Sequence, residues 1–227
     1  MMGSDIDSFS DLATRRVWLR NCSLGLTAAF LAGHAPAQGT GARHIVLVVG
    51  DSLSAEYGLA RGTGWVALLE QRIEAEKLNV RVVNASISGD TTSGGRSRLP
   101  ALLKQHKPTV VLIELGGNDA LRGLPLKGTH DNLLTMTRAS KAAGAKPVLL
   151  GMEIPPNYGR KYSDDFAALF GTVAKAENAP LVPFFLAGVA DGPDAAEMFQ
   201  PDRIHPRAEA QPRMLDNVWP VLLPLIR

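Results

Sequence analysis

From Ala42 onward the chain alternates short, nearly unbroken apolar runs with segments of helical periodicity. The runs are 44–49, 80–85, 109–115 and 147–152, with a shorter fifth near 181–185. Unbroken apolarity marks strands that are buried on both faces, the condition of a parallel sheet. Helical patterns fall between the runs, over roughly 64–77, 93–106, 130–143, 162–177 and 207–225. The last carries Pro212, Pro220 and Pro224, so it is expected to be broken. Strand–helix–strand connections of this kind return right-handed and cover both faces of the sheet, which predicts an α/β sandwich.

That architecture also predicts where chemistry can go. Binding sites of open parallel sheets form beyond the carboxyl ends of the strands. The polar, glycine-rich segments should therefore follow the apolar runs, and they do. Gly50-Asp51-Ser52-Leu53 follows the first and Ser86-Ile87-Ser88-Gly89-Asp90 the second. Gly116-Gly117-Asn118-Asp119 follows the third and Pro155-Pro156-Asn157-Tyr158-Gly159 the fourth. No internal repeat or second domain interrupts the pattern.

With 227 residues, 45% hydrophobic and 20% charged, the chain fits one domain with a full core. The net charge is +2 and no Lys/Arg run is present, so nucleic acid is not an expected partner. The N-terminus reads as an export signal over residues 1–37. The segment Thr14 to Arg20 is basic, an apolar stretch runs from Leu24 to Gly33, and Ala35-Pro36-Ala37 is a small-x-small cleavage signature. Arg15-Arg16-Val17-Trp18-Leu19 resembles a twin-arginine signal. The stretch is shorter than the ~20 residues of a spanning helix, so no stable membrane span is expected in the mature form. Cleavage after Ala37 leaves a single domain, 38–227, in the periplasm or outside the cell. The only cysteine, Cys22, leaves with the signal, so a thiol nucleophile is not expected.

Among the hydroxyls, Ser52 stands where a buried strand stops and a helix can begin. Unused amide N–H groups and the helix dipole would gather positive potential there, as a nucleophile beside a developing negative charge requires. The same tetrapeptide would serve as a plain helix cap. Of five histidines, His205 is set apart in the loop Pro201-Asp202-Arg203-Ile204-His205-Pro206. Asp202 precedes it by three residues, a spacing that lets its carboxylate accept from Nδ1 while Nε2 faces outward. A loop histidine beside a helix-capping aspartate would look the same. Gly89 can leave its N–H free for a ligand, and the two glycines before Asn118 clear space around an amide donor. Simple turns would explain both. Asp51 and Asp119 suit turn and supporting hydrogen bonds, and Asp90 suits a cap for the helix after Gly89.

In this order, Gly50-Asp51-Ser52-Leu53, Gly89, Gly116-Gly117-Asn118-Asp119 and Asp202-x-x-His205 resemble the SGNH (GDSL) hydrolase superfamily. The likeness covers about 43–225 and is closest to the thioesterase I/lysophospholipase L1/arylesterase branch. The resemblance implies a flavodoxin-like three-layer α/β/α sandwich on five parallel strands, with no metal or cofactor. It implies Ser52 as nucleophile, His205 as base and then acid, and Asp202 as the residue orienting His205. The oxyanion hole would be the Ser52 and Gly89 amides with the Asn118 side chain. The expected activity is a serine esterase acting through an acyl-enzyme on small-molecule aryl or short-chain esters, lysophospholipids or thioesters, as a monomer. Leu121, Leu124, Pro156 and Tyr158 are expected to contact the substrate. The alternatives are a carbohydrate O-acetylesterase and a non-catalytic binding module on the same fold.

Overall fold

The structure is a computed structural model that describes residues 43–154 and 156–227. The expected export signal, with Cys22 and the expected cleavage site at Ala37, lies outside the described residues. Five strands form one parallel sheet: β1 (His44–Gly50), β2 (Val80–Asn84), β3 (Val110–Glu114), β4 (Lys146–Leu150) and β5 (Leu181–Val182). Their spatial order is β2-β1-β3-β4-β5. The order reverses between β1 and β3, so the crevice of the sheet opens past Gly50 and Glu114.

The central apolar runs are buried for the reason the sequence suggests, whereas the 80–85 run forms edge strand β2 and is only half-buried. Val46 to Val49 and Val110 to Ile113 are wholly inaccessible to solvent. Helices α1 (Trp65–Ala75) and α7 (Gln211–Ile226) pack together on one face. On the other face α2 (Thr92–His106), α4 (Leu126–Ala142) and α5 (Arg160–Glu177) pack in series. Two short helices, α3 (Gly117–Leu121) and α6 (Ala195–Met198), belong to the loops. The result is the three-layer α/β sandwich expected. Among the described residues no helix is long and apolar enough to cross a membrane.

Three local expectations are corrected. The C-terminal helix is not broken: α7 runs unbroken through Pro220 and Pro224. Pro212 sits in its first turn, where a missing N–H costs nothing. All three prolines face solvent, so water can satisfy the carbonyls they leave free. Met214, Leu215, Val218, Leu222 and Ile226 hold the opposite face in the core. Second, α4 begins four residues before His130, which therefore lies inside the helix. Third, no helix begins at Ser52. Residues 52–58 form tight turns, and the first helix starts at Trp65. Any donor field at Ser52 comes from turn amides, not from a helix dipole.

At the end of β4, Gly151 lies so close to the last strand that an added Cβ would stand 2.1 Å from the Pro183 carbonyl oxygen. Backbone cannot yield as a flexible side chain can. Gly151→Ala is expected to cost about 1–3 kcal/mol of stability, read as a lower urea midpoint with an unchanged slope.

Candidate active site

The loops that leave β1, β2 and β3 meet at the crevice, and the last loop before α7 closes it. On the first loop Asp51, Ser52 and Leu53 turn sharply: the Ser54 and Ala55 amides both donate to the Asp51 carbonyl. This lifts the Ser52 hydroxyl out of the sheet. It lies 2.9 Å from His205 Nε2. His205 Nδ1 is 2.8 Å from Asp202 Oδ2. Asp202 Oδ1 accepts the Ile204 and His205 amides, so the carboxylate shapes the turn that presents the imidazole. Desolvation acts to raise the Asp202 pKa. The hydrogen bonds from the His205 ring and from the two amides outweigh it and lower the carboxyl to about 2. Asp202 is therefore ionised near neutral pH, as a carboxylate able to steady an imidazolium must be.

Gly89 and Asn118 arrive from the two flanking loops. Gly89 has φ of +79°, in the left-handed region that favours glycine. Its carbonyl accepts Arg122 Nη2 at 2.8 Å, which ties the peptide down from the β3 loop. The Ser52 and Gly89 N–H groups have no hydrogen-bond partner among the described residues. Asn118 Nδ2 donates to Asp51 Oδ2 at 3.0 Å. That bond fixes which end of the amide is nitrogen and leaves its second N–H for another acceptor. A hydroxyl, an imidazole, a carboxylate and three free or half-free N–H donors thus share one crevice. Such a set can activate an oxygen nucleophile and stabilise an oxyanion.

The supporting residues differ in part from those the sequence suggested. Asp90 does not cap α2; Thr91 does, accepting the Gly94 amide. Asp90 instead pairs with Arg98 at 2.8 Å. Arg98 also donates to the carbonyls of Gly50 and Ala85, so one guanidinium clamps the Ser52 loop to the Gly89 loop. Asp119 is buried and accepts from the Thr92 amide and hydroxyl at 2.8 and 2.5 Å, tying α3 to α2.

Beside Ser52 lies a cleft of about 630 Å³. Leu121 and Tyr158 line it, as expected. Leu124 does not; it is exposed, and its carbonyl accepts the Tyr162 hydroxyl. Pro155 and the side chain of Pro156 lie outside the described residues. Sequence reasoning missed Met152, Ile154, Leu186 and Phe199, which form the apolar wall. It also missed Tyr57, whose ring centroid lies 4.3 Å from that of His205. Tyr57 sits five residues after Ser52, and only the recurved loop brings it back over the imidazole.

A family model described as the GDSL-like lipase/acylhydrolase family matches residues 48–212. The chain belongs to this family. Esterase TesA of Pseudomonas aeruginosa is 53% identical over 185 residues, 82% of this chain and 90% of that protein. Thioesterase 1/protease 1/lysophospholipase L1 of Escherichia coli is 45% identical over 181 residues, 80% of this chain and 84% of that protein. The crystal structure of TesA matches with a TM-score of 0.76 at 54% identity, over 80% of this chain and 99% of that one. This GDSL-family chain is therefore an ester-bond hydrolase, of the SGNH branch that its motifs resemble.

Two outcomes follow for the supporting groups. Arg98→Ala removes the clamp and is expected to cost on the order of 3 kcal/mol of stability, with a fall in kcat as the two loops drift apart. Parallel urea titrations and p-nitrophenyl butyrate kinetics check it. Asp202 has a native pKa near 2 against a reference of 3.8. A depressed carboxyl stabilises the fold above its unfolded pKa, and that contribution is lost as pH falls through the native value. The stability of Asp202→Asn should thus vary less than the parent's between pH 4 and 2, as acid-titrated circular dichroism would read.

Proposed function

We propose that Ser52, His205 and Asp202 are the catalytic residues of this hydrolase. The observation that carries the assignment is the unbroken chain of contacts: Ser52 Oγ to His205 Nε2 at 2.9 Å, and His205 Nδ1 to Asp202 Oδ2 at 2.8 Å. His205 takes the Ser52 proton as Ser52 Oγ attacks the ester carbonyl. Negative charge collects on the carbonyl oxygen, facing the Ser52 and Gly89 amides and the free N–H of Asn118. His205 then gives its proton to the departing alcohol, which leaves an acyl group on Ser52. Water, deprotonated by His205, attacks that ester, and the same donors receive the second oxyanion.

The substrate is proposed to be a carboxylic ester with an apolar body: an aryl or short-chain ester, or a lysophospholipid. The support is the character of the site edge. The exposed large hydrophobics among the described residues are Tyr57, Ile87, Leu124, Tyr158 and Ile204. Tyr158 and Ile204 line the cleft beside Ser52, and Tyr57 packs on His205. The wall of Met152, Ile154, Leu186 and Phe199 suits an acyl chain. Export is proposed as well, through a signal that ends at Ala37. Acyl-CoA is cytosolic, so thioesters are not the proposed natural substrates. N-terminal sequencing of protein recovered from the periplasm should begin at Gln38.

Ser52→Ala is expected to fold normally and to lose about 10⁴-fold or more in kcat on p-nitrophenyl butyrate, along with labelling by a fluorophosphonate. Retained turnover would overturn the assignment. Narrowing the cleft with Met152→Phe should lower kcat/KM for p-nitrophenyl octanoate about ten-fold or more relative to the acetate. A chain-length profile that does not move would place the acyl group elsewhere.

A further inference from the structure

Glu114 is the one carboxyl in the strands' apolar interior, and the proposed reaction makes no use of it. It ends β3 level with Gly50 of β1 and is wholly buried. Its Oε2 accepts the Ser54 hydroxyl at 2.7 Å and the Asp51 amide at 3.2 Å. The Ser54 oxygen in turn accepts the Trp65 indole N–H at 3.1 Å. Its Oε1 is buried with no donor among the described residues. A bare carboxylate oxygen in such a place would be among the most costly groups a fold can carry.

The neighbour that matters is Asp51. Its carboxyl is also buried, its backbone amide donates to Glu114 Oε2, and its charge acts on the Glu114 carboxyl. Two adjoining buried carboxylates cannot both stay charged. The donors decide which of them is neutral. Both Asp51 oxygens accept N–H groups, Oδ1 from Leu53 at 3.0 Å and Oδ2 from Asn118 at 3.0 Å. N–H groups of this kind cannot turn round and accept, so Asp51 is the ionised partner. A proton on Oε1 of Glu114 turns an orphaned acceptor into a donor with an acceptor beside it.

We propose that Glu114 is a neutral carboxylic acid that donates a hydrogen bond to the Asp51 carboxylate, and through Asp51 holds the Asn118 amide with its second N–H aimed at the oxyanion. Glu114 is thus a positioning residue. The role of Asn118 rests on the function proposed above. The surrounding charges agree with this assignment. Burial raises the Asp51 carboxyl to about 6. The hydrogen bonds from Leu53 and Asn118 and then His205 favour its charge, and Asp90, itself paired with Arg98, opposes it, so Asp51 is ionised at pH 8. The charge that acts on Glu114 is that of Asp51. Burial, and then Asp51, hold the Glu114 pKa well above its reference of 4.5. A raised carboxyl pKa means the folded state keeps a proton that the unfolded chain releases above pH 4.5. Stability should therefore decline as pH rises from that value toward the native pKa.

The test is isotope-edited infrared spectroscopy at pH 8. A protonated-carboxyl stretch that shifts in D2O is expected in the parent enzyme and should vanish in Glu114→Gln. Its absence from the parent overturns the inference; so does its persistence in Glu114→Gln, which would place the proton on Asp51. The kinetics should split in the same sense. Glu114→Gln still offers an N–H to Asp51 and should keep kcat within about ten-fold of the parent. Glu114→Leu offers none and should lose about 10²-fold in kcat with KM little changed, the scale of one oxyanion donor. Equal losses in the two variants would overturn the proposal. Should Glu114→Leu not fold, the infrared band and the flatter pH dependence of stability in Glu114→Gln decide. Neither readout depends on turnover, so their failure would leave the assignment of Ser52 untouched.

Discussion

The pairing of β1 with β3 brings Gly50 level with Glu114 at the reversal point of the strand order, and the site is built outward from that pair. Below this level the central strands β1 and β3 run through the core between the two helix layers. Above it the backbone leaves the ladder and its N–H groups come free. The boundary is sharp: Val49 is fully buried, while Ser52 three residues later is within reach of the cleft. Reactive groups on this scaffold are confined to a layer only a few residues deep.

Confinement alone does not align loops from four different strands. Here the alignment comes from a few polar ties, each of which crosses between loops. Arg98 joins the ends of β1 and β2 and carries Asp90. Arg122 reaches back from the β3 loop to the Gly89 carbonyl. Asp51 joins the Ser52 loop to Asn118. Gln200 reaches the Tyr57 carbonyl, which binds the histidine loop to the loop that carries Tyr57. Charge-assisted bonds are the stronger class and lose less to water when partly buried. The donors are therefore in place before any substrate arrives, and preorganisation of this kind is where electrostatic catalysis gets its advantage.

What could be read from the residues is what local order controls. Unbroken apolar runs gave away the strands, because only a doubly covered sheet tolerates them. Three of the motif blocks sit directly after a run, whereas Asp202 and His205 come from a loop well beyond β5 and reach Ser52 only through the fold. The misreadings are tertiary in origin. Proline spacing suggested a broken final helix, yet packing of Met214, Val218 and Leu222 outweighs the missing bonds on the solvent face. Gly-Asp-Ser suggested a helix start, yet the Asp51 carbonyl is taken by turn amides. Leu124 was expected at the cleft because it follows Asn118, whereas the wall is made by Met152, Leu186 and Phe199 from distant segments. No periodicity could bring those three together.

Glu114 shows how a misfit in a pattern can carry information. Read as one residue of Thr109-Val110-Val111-Leu112-Ile113-Glu114-Leu115, it is an acidic interruption near the end of a buried strand. Replacing such a group with an apolar one of similar size is often neutral or stabilising when nothing else depends on it. Here something does. Asp51 must be charged to grip the Asn118 amide, yet it is itself almost wholly buried. A neutral acid beside it supplies a hydrogen bond without a second charge, whereas an apolar side chain would supply none. The cost of one buried carboxyl is thereby linked to the orientation of a donor at the reacting oxygen.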